Sequence, residues 1–131
     1  MKVIFIRHGQ TDENVVHRHQ PTHTPLSLEG RKQALAVGSR LADVGITHIV
    51  ASPLVRTLQT SSLIADRLDM IPSIDHALAE LVRPETLTGH GHHSSKSLLF
   101  YIQWYLGLTK TGESYVQIRE RIATATSNLE Q

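Results

Sequence analysis

The stretch Val3-Ile4-Phe5-Ile6-Arg7-His8-Gly9-Gln10-Thr11-Asp12-Glu13-Asn14 decides how the rest of the chain is read. Four apolar residues run straight into an arginine, a histidine and a glycine. Such a run reads as a strand buried on both faces, of the kind found inside a parallel sheet. Polar chemistry begins where that strand stops, and in open α/β sheets ligands bind at the carboxyl ends of strands. Gly9 permits a sharp turn and a close approach to a bound group. Arg7 offers a planar fork of donors suited to phosphate. His8 offers a ring nitrogen that can be neutral and nucleophilic near neutral pH. The bland alternative is a surface Arg-His pair behind a buried strand.

Outward from this stretch the chain alternates helix and strand. Ser27 is placed to cap a helix, with Glu29 in its first turn, where the helix dipole favours a negative charge. Ala34, Leu35, Gly38, Leu41 and Ala42 recur at helical spacing, and Gly45 is a stop. Residues 48–51 read as a second strand ending in Ser52-Pro53, with Ser52 as cap and Pro53 at the first helical position. Arg56 then falls in the first turn of a helix that begins at a strand's carboxyl end, where the helix terminus itself favours anions. Arg7 and Arg56 are thus expected to converge. Residues 71–74 supply a third short strand, and Tyr115, Ile118, Ile122, Ala125 and Leu129 form an apolar ladder on a last helix.

Arg7-His8-Gly9-Gln10-Thr11-x-x-Asn14 resembles the opening signature of the histidine phosphatase superfamily, the phosphoglycerate-mutase-like proteins. Two further segments resemble the same family: Leu26-Ser27-x-x-Gly30-x-x-Gln33-Ala34 and Ser52-Pro53-Leu54-x-Arg56-x-x-Gln59-Thr60. The resemblance implies an α/β fold, a three-layer α/β/α sandwich with a mainly parallel central sheet, in one domain over residues 1–131, incomplete at its C-terminal end. It implies His8 as a nucleophile that becomes phosphohistidine. It implies Arg7, Arg56 and Asn14 on the phosphoryl oxygens, and Thr11 and Arg83 as further substrate contacts. It also implies Glu80 as proton donor to the leaving group, a role for which burial and an incoming phosphate should raise its pKa. Apart from the resemblance, Glu80 reads as a surface glutamate and Arg56 as a solvated helix residue. The expected reaction is hydrolysis of a small phosphorylated metabolite, with no cofactor. Short loops favour hydrolysis over a mutase reaction, which must hold its intermediate away from water.

Size and composition narrow the alternatives. A chain of 131 residues with 40% hydrophobic content is globular and can bury a core. A net charge of +1 argues against nucleic-acid binding through a general basic field, while leaving room for a local positive pocket. The absence of cysteine excludes disulfides and thiol catalysis. No apolar run has the length of a membrane span, and no leader pattern precedes the first strand, so a cytoplasmic location is expected.

Three segments stay open. The loop holding His17, His19 and His23 is read as solvated or, less simply, as metal ligands. Gly89-His90-Gly91-His92-His93 is read as a mobile loop or a metal site. Residues 98–106 hold four of the six aromatic residues. They read either as a core or dimer-interface helix, or as a wall over the site that selects an apolar or ring-bearing substrate. The resemblance further calls for a later strand ending in a second catalytic histidine, and none follows Leu129. The first strand is then expected to lose a neighbour, leaving a truncated domain, or one completed by a partner chain as a homo-oligomer or strand-swapped dimer. A catalytically silent domain that binds phospholigands or a partner is the competing class of function.

Overall fold

The computed structural model describes residues 2–81 and 83–129, apart from the side chain of Leu129. Helices dominate: α1 (Asp12–Val15), α2 (Leu28–Leu41), α3 (Val55–Leu68), α4 (Ser95–Tyr105) and α5 (Tyr115–Leu129). Two short strands, β1 (Val50–Ala51) and β2 (Ser73–Ile74), pair in parallel, with Val50 opposite Ser73 and Ala51 opposite Ile74. Single turns of 3-10 helix occupy His76–Leu78 and Glu85–Leu87. The crossover between the strands is α3, so this is a βαβ unit of an α/β fold.

The packing of α2 on α3 forms the densest part of the molecule. On the α2 side the contact uses glycine. Ala34, Ile64 and Ala65 are buried, and a Cβ on Gly38 would lie 3.1 Å from the Arg67 side chain and 3.2 Å from the Ile64 backbone. Small residues let two helices approach closely. Ser27 caps α2 as its sequence requires, its hydroxyl accepting from the Gly30 amide at 3.1 Å. Toward the C-terminal side, α5 packs on the His76–Leu78 turn. Ala125 is buried there, but Tyr115 and Ile122 remain exposed, so only part of the expected ladder is covered. Its last rung, the Leu129 side chain, lies outside the described residues.

Two expectations need correction. Residues 3–6 are not a strand buried on both faces. No backbone hydrogen bond joins residues 3–8 to another described residue, and Phe5 is 83% exposed. A ladder needs a hydrogen-bonded neighbour, and the described residues bring none alongside. Second, α3 begins at Val55 rather than Pro53. Leu54 stands at the cap position without a side-chain bond, and Ser52 Oγ instead accepts from the Leu54 amide at 3.4 Å. The Val55 amide finds its partner in the Thr22 carbonyl at 3.3 Å. A neighbouring segment thus supplies what a cap residue would. Arg56 still sits in the first turn.

Candidate active site

The loop after residues 3–6 is held down from two sides. The Gly9 amide donates to Thr60 Oγ1 at 3.1 Å, and that hydroxyl donates to the Arg56 carbonyl at 2.7 Å. From α2, Gln33 Oε1 accepts from the Gln10 amide at 3.0 Å, and the Ser27 amide and hydroxyl both donate to the Gln10 carbonyl. A Cβ on Gly9 would stand 2.3 Å from the Gly30 carbonyl oxygen, and one on Gly30 would stand 2.1 Å from that of Gln10. Gly9 is therefore required by backbone contact with α2 rather than by a turn, which corrects the simpler expectation. Gln59 completes the clamp by accepting from the Leu26 amide at 2.8 Å. Gln59 and Thr60 lie three and four residues after Arg56, on one helical face with it. Periodicity alone could have found this pair.

His8 is half-buried. Its Nδ1 lies 2.7 Å from the Gly9 carbonyl oxygen, and since a carbonyl only accepts, Nδ1 carries the proton. The Nε2 lone pair is thereby left for a ligand. Burial pushes the His8 pKa below its ordinary value. The neighbouring Arg56 and Arg7 guanidinium groups add to this, and together they outweigh the opposing bond to Gly9. Both expected arginines thus act on one imidazole.

Arg56 is 2% exposed. Its Nη1 donates to the Pro21 carbonyl at 3.1 Å and its Nη2 to Glu80 Oε2 at 2.6 Å, while its buried Nε has no partner. Glu80 also accepts from Arg83 Nη1 at 2.9 Å. Burial alone would raise the Glu80 pKa. Arg83 and Arg56 outweigh it and hold the carboxyl below the usual range, opposite to the expected direction in the unliganded chain. Arg83 Nε donates to Tyr101 Oη at 3.2 Å. Behind Glu80, Arg121 of α5 donates to the Ala77 and Ala79 carbonyls and grips Glu113 with Nε and Nη2, both at 2.6 Å.

Asn14 accepts from the Thr11 amide through Oδ1 at 3.1 Å, which leaves its NH2 group for a ligand. Thr11 is corrected as a substrate contact. It is fully buried and caps α1, its hydroxyl accepting from the Asn14 amide and donating to Gln20 Oε1 at 2.9 Å. Both hydrogen-bonding roles of that hydroxyl are used within the protein.

The two histidine-bearing loops are joined to each other: His17, His23, His92 and His93 are exposed, as a solvated loop would leave them, but His19 is not. His19 is 4% exposed. Ser97 Oγ gives its proton to the Gly91 carbonyl at 2.9 Å and so accepts from His19 Nε2 at 2.8 Å. Amides of His19, Gly89 and His92 bond to carbonyls of His90, His19 and His17, each at 3.0 Å, around a bridge between Arg18 and Gly91. The His92 ring packs on that of His19 at 4.6 Å. Among the described residues, no group of three or more His, Asp or Glu side chains is arranged to hold a metal ion. Of the aromatic helix α4, Phe100 is buried and Tyr101 reaches the ion network through Arg83, while Leu98, Leu99, Ile102 and Tyr105 stay exposed. No described helix is long and apolar enough to cross a membrane.

These elements surround an open cavity of about 510 Å³, lined by Arg7, His8, Gln10, Asn14, His17, Gln33 and His92. An imidazole with one nitrogen left free, in the field of two guanidinium groups, has the chemistry to bind a phosphoryl group and to act as a nucleophile. The chain belongs to the histidine phosphatase superfamily (branch 1), whose profile matches residues 3–131. A probable phosphoglycerate mutase GpmB of Erwinia tasmaniensis is 40% identical over 82 residues, which is 62% of this chain and 38% of that protein. Among solved structures, a mycobacterial glucosyl-3-phosphoglycerate phosphatase matches with a TM-score of 0.74 at 29% identity, covering 93% of this chain and 60% of that one. Bacillus stearothermophilus YhfR matches with a TM-score of 0.77 at 27% identity, covering 94% of this chain and 64% of that one. The chain therefore spans 38% of the mutase relative and less than two thirds of either solved structure.

Proposed function

We propose that this chain binds a small phosphomonoester and hydrolyses it through a phosphohistidine on His8. The observation that carries the reading is the fixed His8 tautomer, with Nδ1–H held by the Gly9 carbonyl and Nε2 free beside Arg7 and Arg56. Nε2 attacks phosphorus in line with the leaving oxygen, and the P–O bond to that oxygen breaks. Arg7, Arg56 and the Asn14 amide take the phosphoryl oxygens, and the unpartnered Nε of Arg56 is a buried donor that such an oxygen satisfies. An incoming phosphate also competes with Glu80 for Arg56. Glu80 then loses a cationic partner and gains an anionic neighbour, so its pKa rises and it can hand a proton to the leaving oxygen. Water takes the phosphoryl group from His8 in the second step. Arg83, tied to Glu80 and Tyr101, serves as a further substrate contact.

The likeness to probable phosphoglycerate mutases favours a second reading, in which a substrate hydroxyl replaces water. Intact mass after brief exposure to a reactive phosphodonor, quenched in alkali, tests the common step. One added phosphoryl group in the wild type and none in His8→Ala is expected. No adduct on folded protein that is nonetheless stabilised by phosphate would replace catalysis with phospholigand binding. Adding glycerol as acceptor then separates hydrolase from transferase.

A further inference from the structure

Glu80 has to deliver a proton at a fixed point, yet it stands two residues beyond a single 3-10 turn, outside every helix and strand. What fixes its backbone comes from α5, through a residue that does not line the cavity. Arg121 Nη1 donates to the Ala77 carbonyl at 2.9 Å and also to that of Ala79. The Ala79 carbonyl belongs to the planar peptide unit that carries the Glu80 nitrogen. The bond therefore fixes the plane from which the Glu80 side chain departs.

The guanidinium is itself held. Its Nε and Nη2 donate to the two carboxylate oxygens of Glu113, both at 2.6 Å, and the Glu113 carbonyl accepts from Trp104 Nε1 of α4 at 2.9 Å. The Arg121 and Glu113 side chains are 19% and 11% exposed. A largely buried ion pair adds little net stability. What this one supplies is direction, because its fork leaves one nitrogen aimed at main chain.

A second side chain of α5, two turns on, grips the same segment. Asn128 Nδ2 donates to Asp75 Oδ2 at 2.9 Å, and Asp75 Oδ1 accepts from the Ala77 amide at 2.8 Å. On the opposite side the Asp75 amide donates to the Ala51 carbonyl of β1 at 2.9 Å. Residues 75–79 are thus held between α5 and the strand that leads toward Arg56, and Glu80 meets Arg56 Nη2 at 2.6 Å from that frame.

We infer that Arg121, tethered by Glu113, is a positioning residue for the proton donor Glu80. The inference rests on the proposed reaction, in which Glu80 protonates the leaving oxygen. A group acting only through that proton matters for a leaving group that needs one and little for a leaving group that does not.

The test is kcat/KM of the whole chain, read as released phosphate, for methyl phosphate and for p-nitrophenyl phosphate. Methoxide needs the proton, whereas the nitrophenolate departs without it, and kcat/KM reports the step in which the leaving group departs. Arg121→Met, which keeps the hydrocarbon stem, should lower kcat/KM for methyl phosphate about tenfold or more, a part of what general acid catalysis supplies. For p-nitrophenyl phosphate the loss should be severalfold smaller. Glu113→Gln, which loosens the tether, should show the same selectivity. Adding Arg121→Met to Glu80→Gln should cost methyl phosphate nothing further, because the two residues act as one unit. Should Arg121→Met not fold, Arg121→Lys, which cannot fill both carbonyls and the carboxylate in the same geometry, carries the test with the same expected selectivity. An equal loss for both substrates in a folded variant, or no loss for either, overturns the inference and leaves the proposed reaction standing. If wild type hydrolyses neither substrate, or if Glu80→Gln shows no selectivity between them, the proton-donor role of Glu80 fails and the inference falls with it.

Discussion

At Thr60 one hydroxyl joins two segments far apart in sequence, accepting from the Gly9 amide and donating to the Arg56 carbonyl. Thr60→Val keeps the shape and leaves that buried amide unpaired. A loss of about 1–3 kcal/mol is expected by urea denaturation. The imidazoles set the pH response. Burial lowers the pKa of both His8 and His19 from 6.5. Well above pH 6.5 both are neutral in folded and unfolded chains alike. Below it the unfolded chain takes up protons that the folded chain resists, so stability falls until the folded pKa values are passed. The urea midpoint should therefore drop between pH 7.5 and pH 5.5, and less steeply in His8→Gln. Individual residues were legible unevenly. Arg7, His8 and Arg56 announce themselves by charge and position in a motif. Thr11 sits in the same motif, yet its hydroxyl is consumed by a cap and by Gln20, which a linear pattern cannot display.

Among the elements, α2 carries more than a crossover requires. Gly30 faces the Gln10 backbone so closely that Gly30→Ala should destabilise by about 1–3 kcal/mol or more, as overpacking against rigid main chain does. Gly91→Ala is the control, because nothing lies within 4 Å of its added methyl group and its φ is not positive. Thermal melts of the two variants check the contrast. The segment Leu26-Ser27-x-x-Gly30-x-x-Gln33-Ala34 was readable as a helix from its cap and spacing. Its second duty, gripping residues 9 and 10, depends on where the helix lands and so was not. Strands were the least legible. The apolar run at residues 3–6 has the composition of a buried strand, but burial belongs to neighbours, and the described residues provide none. The shift of the α3 start from Pro53 to Val55 has the same origin, since the Thr22 carbonyl replaces a local cap.

Across the whole molecule, apolar surface is left bare beside a well-ordered polar centre. Phe5 is 83% exposed and Ile71 94%. Exposed apolar area drives association, so sedimentation should show concentration-dependent self-association that Phe5→Lys with Ile71→Lys reduces. Retention of one monodisperse species at every concentration would count against it. The α/β class and the convergence of Arg7 and Arg56 on His8 were readable from three motifs in order. The joining of the two histidine-bearing loops was not, because neither loop has a periodic pattern and their pairing is a long-range event. That pairing also has a kinetic side. It ties position 18 to position 91, so the mouth of the cavity closes only after most of the chain has been gathered in. The amide protons of His19, Gly89 and His92 are expected to exchange together, because all three bonds join the same two loops. Hydrogen exchange at those three positions would report the separation of the two loops apart from the unfolding of α2 and α3.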